Sequence, residues 1–176
     1  MNEIVKKNAV KFGLIAGVIA VLITSTMYAV NLNLFAEWWI GILNIIIYTA
    51  LGIYAMIQTK KELNGVYSFK DAFTTYFVYA VIGIAISITF NIILFNFIDP
   101  GAKETLKEIS IEAAVSMMKK FGTPADAMKK AVEDMSNTDQ FGIVEQLKGS
   151  VFSIIFSAIF AVILAAIFKS KPKEQF

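Results

Sequence analysis

Four stretches of this chain run without a single charged residue, at about residues 12–30, 38–57, 73–98 and 150–168. Polar residues collect between them in two short connections and one long one. The hydrocarbon core of a bilayer is about 30 Å thick, so a spanning helix needs about 20 apolar residues at 1.5 Å each. Each stretch meets or closely approaches that length, and the pattern predicts an all-α integral membrane four-helix bundle. The first stretch also follows Lys6, Lys7 and Lys11 in the manner of a signal peptide. Its apolar run exceeds the ~7–15 residues of a signal core, which favours an uncleaved first span.

The long connection, residues 99–149, reads as a helical hairpin outside the membrane. Asp99-Pro100-Gly101 ends the third span, because proline cannot continue a helix. Leu106, Ile109, Ala113 and Met117 then recur at helical spacing, and Gly122 closes that helix as a left-handed cap. Thr123 as N-cap, Pro124 at the first position and Asp126 near the positive dipole end open a second helix. Its apolar face is Ala127, Met128, Ala131, Val132 and Met135. The whole is one domain in three parts: residues 1–98 with three spans, the insert 99–149, and residues 150–176 with the last span and tail.

Charge sets the expected orientation. Segments 1–11, 58–72 and 169–176 carry nine lysines against four acids, while 31–37 and 99–149 carry seven against ten. Lysine excess in short loops marks the cytoplasmic side, so both termini are expected there and the hairpin outside. Trp38 and Trp39 then fall at the outer interface, where indoles favour the boundary.

Lipid tails are as apolar as leucine, so spans associate through close packing and hydrogen bonds. Candidate packing positions are Gly13 and Gly17 on the first span, Gly52 on the second, and Gly83 and Ser87 on the third. The fourth carries an unbroken stripe of Gly149, Ser153, Ser157, Ala161 and Ala165. Asn44 and Asn91 lie at similar depth, roughly 9–11 Å below the outer interface. A carboxamide in hydrocarbon needs a partner, which predicts a polar cluster of Asn44 and Asn91 with Ser153 or Thr24. The bland reading is interhelical adhesion; the sharper one is a small polar cavity opening outward.

Composition narrows the chemistry. The chain has 176 residues, 57% of them hydrophobic and 17% charged, with a mean hydropathy of +0.65. It has no histidine or cysteine, and every basic residue is lysine. Imidazole and thiol catalysis, disulfides and thiolate metal sites are therefore excluded, and a net charge of +2 does not suggest nucleic acid. Glu104, Glu108 and Glu112 interleave with Lys103 and Lys107 as a solvated face. No ionisable residue lies inside a span, which argues against an ion-driven pump. No catalytic residue, cofactor or metal site is expected.

Gly65-Val66-Tyr67-Ser68-Phe69-Lys70-Asp71-Ala72-Phe73 reads as Gly-x-x-Ser-Phe-x-x-Ala-Phe. With the lysine-led Phe12-Gly13-Leu14-Ile15-Ala16-Gly17 start and the Ile98-Asp99-Pro100 stop, the chain resembles a family of bacterial four-span membrane proteins known only as a domain of unknown function. The resemblance covers essentially the whole chain. It implies an inner-membrane location and four spans, and brings no activity, cofactor or catalytic residue. Locally, Gly65 permits a turn, Ser68 caps the third helix, and Phe69 is expected to stack on Phe73.

Two functions fit these features. The first is a non-enzymatic accessory or scaffold subunit, working as a homo-oligomer or with an envelope protein partner among membrane lipids. The alternative is a binder or conduit for a small or lipid-like molecule, using the outward cluster near Asn44 and Asn91.

Overall fold

A computed structural model describes residues 2–170; Lys171 and Lys173, counted above toward the inner charge, lie outside the described residues. The described chain is all helix and turn: α1 (Glu3–Val30), a 3₁₀ turn (Leu32–Ala36), α2 (Trp38–Glu62), α3 (Phe69–Ile93), a π turn (Leu94–Ile98), α4 (Pro100–Lys120), α5 (Ala125–Asn137) and α6 (Ile143–Phe168). Four helices are long and apolar enough to span a bilayer: α1, α2, α3 with its π turn, and α6.

Helices overrun the apolar stretches because polar ends cap them and buried faces hold them. Asn2 accepts from the Ile4 amide at 2.9 Å, so α1 starts nine residues before Phe12. Val5, Ala9 and Phe12 bury one face of that extension. α2 closes on Lys60 and Lys61, where cations suit the negative dipole end. Asn64 and Gly65 then take left-handed φ of 52° and 80° to reverse the chain. Ser68 caps α3, accepting from the Asp71 amide at 3.0 Å and donating to its carboxylate at 2.6 Å. α6 starts at Ile143, so residues 143–149 belong to the fourth long helix and not to the hairpin.

Two local expectations fail. Thr123 does not cap α5: its amide donates to the Met118 carbonyl at 3.0 Å to close α4 behind Gly122 (φ 68°). Pro124 occupies the cap position and supplies no side-chain bond. Phe73 stacks on Phe77, with centroids 5.4 Å apart and planes at 17°, while Phe69 points outward.

α3 is the hub of the bundle. It packs most extensively on α1 and next on α6, while α2 and α6 scarcely meet. Glycines permit the closest approach. A Cβ on Gly13 would fall 2.8 Å from Ile82 Cβ, and one on Gly17 would fall 2.7 Å from Ile86 Cβ. On Gly83 it would meet Ala16 Cβ at 3.2 Å, and on Gly52 the Tyr79 ring at 2.9 Å.

Two buried clusters result. The larger lies in the half of the bundle nearest the chain ends, around Phe12, Ala55, Met56, Tyr67, Tyr76 and Ala165. The smaller closes the hairpin end, where Leu94, Phe95, Ala102 and Leu106 pack with Phe35 and Phe141. Through it the base of α4 is seated on the bundle. Lys103 pairs with Asp139 at 2.8 Å, and Lys107 donates to the Ser136 carbonyl, tying α4 to the end of α5. α5 has no buried residue; Met128, Ala131, Val132 and Met135 are half-buried.

Candidate functional site

Between the two clusters, where α2 and α6 part, lies a cavity of about 820 Å³. The small-residue stripe of α6 explains its position. Ala161 and Ala165 are fully buried, whereas Gly149 and Ser153 at the other end are exposed. Half of the stripe therefore packs, and the other half is cavity wall. Gly83, Ser87 and Asn91 of α3 face it across the gap, and Ile45, Tyr48 and Thr49 of α2 form a third side. Gln140, Glu145 and Gln146 stand at the hairpin end.

The floor is aromatic. The Tyr79 hydroxyl donates to the Tyr48 carbonyl at 2.7 Å, and the Tyr76 ring lies 5.7 Å from the Tyr79 ring. Beyond the floor, Ala55, Met56 and Ala72 are fully buried. The cavity thus runs along the gap between α2 and α6 from the hairpin end and stops where the tight half of the bundle begins. From Tyr76 to Asn91 α3 rises roughly 22 Å, about half of a ~40–45 Å bilayer including headgroups.

Several polar wall groups are already committed within the chain. Ser150, Ser153 and Ser157 donate their hydroxyl protons to the carbonyls of Leu147, Gly149 and Ser153 on their own helix. Gln146 donates to the Phe141 carbonyl at 2.7 Å, and Asn96 donates to the same oxygen at 3.0 Å. Glu145 is the one charged wall residue among the described residues, and Lys148 pairs with it from outside the cavity. The Asn91 side-chain oxygen is buried with no hydrogen-bond partner among the described residues.

The expected polar cluster is half assembled. Asn91 and Ser153 line the same cavity, while Asn44 and Thr24 are half-buried and lie off its walls. No hydrogen bond joins Asn44 to Asn91 among the described residues. At 100° per residue, Asn44 is about a quarter turn from the face carried by Ile45, Tyr48 and Thr49. Among the packing candidates, Gly13, Gly17, Gly52 and Gly83 sit at close helix contacts and Ala161 is buried; Ser87 and Ser157 line the cavity. Gln140, Glu145 and Gln146 are wall residues that the sequence reading assigned to a hairpin or loop. The lack of any strong breaker between Ile143 and Ser150 was the available signal that α6 starts before its apolar run.

A family model described as "Protein of unknown function (DUF4199)" matches residues 11–170. The chain belongs to this family. No curated protein and no solved structure matches it. The matched stretch holds all four long helices apart from the first turns of α1, together with the hairpin and every cavity wall residue. It makes the protein a multi-pass membrane protein of a family without assigned function.

The DUF4199 chain also buries polar groups away from the cavity, at the end opposite the hairpin. Asn8, Thr59 and Thr75 are almost fully buried. The threonines donate to the Ala55 and Asp71 carbonyls of their own helices, at 2.7 and 2.8 Å. Asn8 keeps an unpartnered amide nitrogen among the described residues. Asn8 shares a helical face with Val5 and Phe12, a periodicity legible in sequence once α1 is extended to Glu3. In the α2–α3 connection, burial pushes the Tyr67 phenol up to about 12.

Proposed function

We propose that this protein binds a lipid-like molecule within one half of the bilayer and is not a catalyst. The single observation that carries this reading is the cavity beside α3, lying in the gap between α2 and α6 toward the hairpin end and floored by Tyr48, Tyr76 and Tyr79. Its volume is in the ~300–1,000 Å³ range of small-molecule sites, with apolar walls and a few polar groups to fix orientation. The closed floor favours a binder over a conduit, because the alanine-rich half beyond it leaves no continuing path. The lysine bias supports an orientation with both termini cytoplasmic, in which the cavity would face the outer half, and the family resemblance supports a bacterial inner membrane.

The test is native mass spectrometry of the protein extracted in mild detergent, comparing wild type with Ser153→Trp. The expected result is a co-purifying lipid-sized adduct on the wild type that the indole displaces, with unchanged helicity. An adduct untouched by Ser153→Trp overturns the assignment to this cavity. The accessory reading draws on a different observation: Met117 and Phe121 are 52% and 82% exposed at the far end of the hairpin. An envelope partner or second copy docking there would be lost with Phe121→Glu in a detergent pull-down, while lipid retention would persist.

A further inference from the structure

We infer that the headgroup taken by the cavity supplies hydrogen-bond donors and carries no negative charge. This rests on the lipid-binding reading above and adds the chemistry of the occupant. Three α6 serines already donate inward to their own backbone, so what each offers an occupant is the remaining lone pairs of its oxygen. The Tyr79 hydroxyl is committed in the same way at the floor, donating to the Tyr48 carbonyl. Glu145 adds a carboxylate at the hairpin end. Among the described residues no lysine lines the cavity, and the chain has no arginine or histidine to do so.

An anionic head seated here would meet serine lone pairs and a carboxylate, with only neutral donors such as the Asn91 and Gln140 amides and the Ser87 and Tyr48 hydroxyls, and no cation, against it. Desolvating that charge without a partner is unfavourable in low dielectric. A head bearing hydroxyl or ammonium protons meets acceptors along α6, and a cationic one also gains from Glu145. The exposed Glu145–Lys148 pair, three residues apart on one helix, is a weak competitor for that carboxylate.

The experiment uses the full chain in detergent and three amphiphiles with the same eighteen-carbon unsaturated tail: monooleoylglycerol, oleylamine and oleyl sulfate (about equal in apolar area). Binding is read by native mass spectrometry across a concentration series. Monooleoylglycerol and oleylamine are expected to bind at least about tenfold more tightly than oleyl sulfate, the scale of one charge-assisted hydrogen bond. Glu145→Lys should narrow that gap by improving oleyl sulfate, and Ser153→Ala with Ser157→Ala should weaken monooleoylglycerol and oleylamine while leaving oleyl sulfate unchanged. Equal binding of all three, or a preference for the sulfate, overturns the headgroup inference and leaves the cavity reading standing. Failure of all three to bind overturns both.

Discussion

Ser170 and Tyr67 are bonded to each other in both directions. The Ser170 amide donates to the Tyr67 carbonyl at 2.7 Å, and the Ser170 hydroxyl accepts from the Tyr67 amide at 2.8 Å. The same hydroxyl donates to the Gly65 carbonyl, and Lys60 reaches the Phe168 carbonyl at 3.0 Å. The end of α6 is thus clasped to the α2–α3 connection, although α6 and α2 scarcely meet within the bundle. The clasp holds closed the end of the α2–α6 seam that lies away from the cavity.

Ser170→Ala removes the side-chain half of that clasp and leaves the Tyr67 amide without its acceptor. A part-buried donor left unpaired costs about 1–3 kcal/mol. The expected outcome is a loss of about 1–2 kcal/mol in detergent unfolding, with hydrogen exchange at Tyr67 accelerated first. Unchanged Tyr67 protection would show that the clasp does not close this end.

Glycine positions give a paired prediction. Gly17→Ala places a methyl 2.7 Å from Ile86 Cβ at the α1–α3 contact, where neither helix can yield cheaply. Overpacking of this kind costs about 1–3 kcal/mol. Gly41 on α2 has nothing within 4 Å of its virtual Cβ, so Gly41→Ala should be neutral or stabilising by up to about 1 kcal/mol. Thermal unfolding of the two variants in one detergent separates them; equal shifts would contradict the close α1–α3 approach.

The fold was largely legible in sequence because hydrocarbon imposes a coarse requirement: charge-free runs of sufficient length must be helices. Helix ends were less legible. Capping by Asn2 and the burial of Val5 and Asn8 carried α1 well beyond the apolar run, which hydropathy alone cannot register. The site was legible in part. Asn91 and Ser153 stood out as polar residues in apolar spans, but their relation to Asn44 depended on rotation about α2, and depth matching says nothing about azimuth. The α6 stripe looked like uniform packing surface. Its division into packed and open halves follows from α6 leaving α2, a tertiary fact with no local signal.

At the hairpin end, the Tyr28 hydroxyl donates to Asp99 at 2.7 Å, and the other Asp99 oxygen caps α4 by accepting from the Ala102 amide at 3.0 Å. The Tyr28 bond first, and the backbone bonds after it, hold the Asp99 carboxyl below its ordinary value. A carboxyl depressed in the folded state contributes stability above its unfolded pKa and loses it as pH falls through the folded one. The seating of α4 should therefore persist at neutral pH and weaken only in acid, below the usual carboxylate range. Tyr28→Phe should raise the Asp99 titration point and move this weakening to higher pH. Carboxyl NMR of Asp99 with hydrogen exchange at Ala102 checks both; an unmoved titration point in Tyr28→Phe would remove the Tyr28 contribution.

Asn91 offers the sharpest check on how the spans are rotated. If it bonded Asn44 across the bundle, replacing either by leucine would cost stability, and the double variant would show coupling. The structure instead leaves the Asn91 oxygen buried and unpartnered among the described residues, with Asn44 off the cavity face. Removing a buried unpaired acceptor in favour of an apolar group of similar size is neutral or stabilising, by up to about 1–3 kcal/mol. Asn91→Leu in lipid-stripped protein should therefore keep or raise the unfolding temperature. The Asn44→Leu, Asn91→Leu cycle should be additive within about 0.5 kcal/mol. A coupling energy well above that would place the two carboxamides in contact and require α2 to be turned by about a quarter revolution from its present orientation.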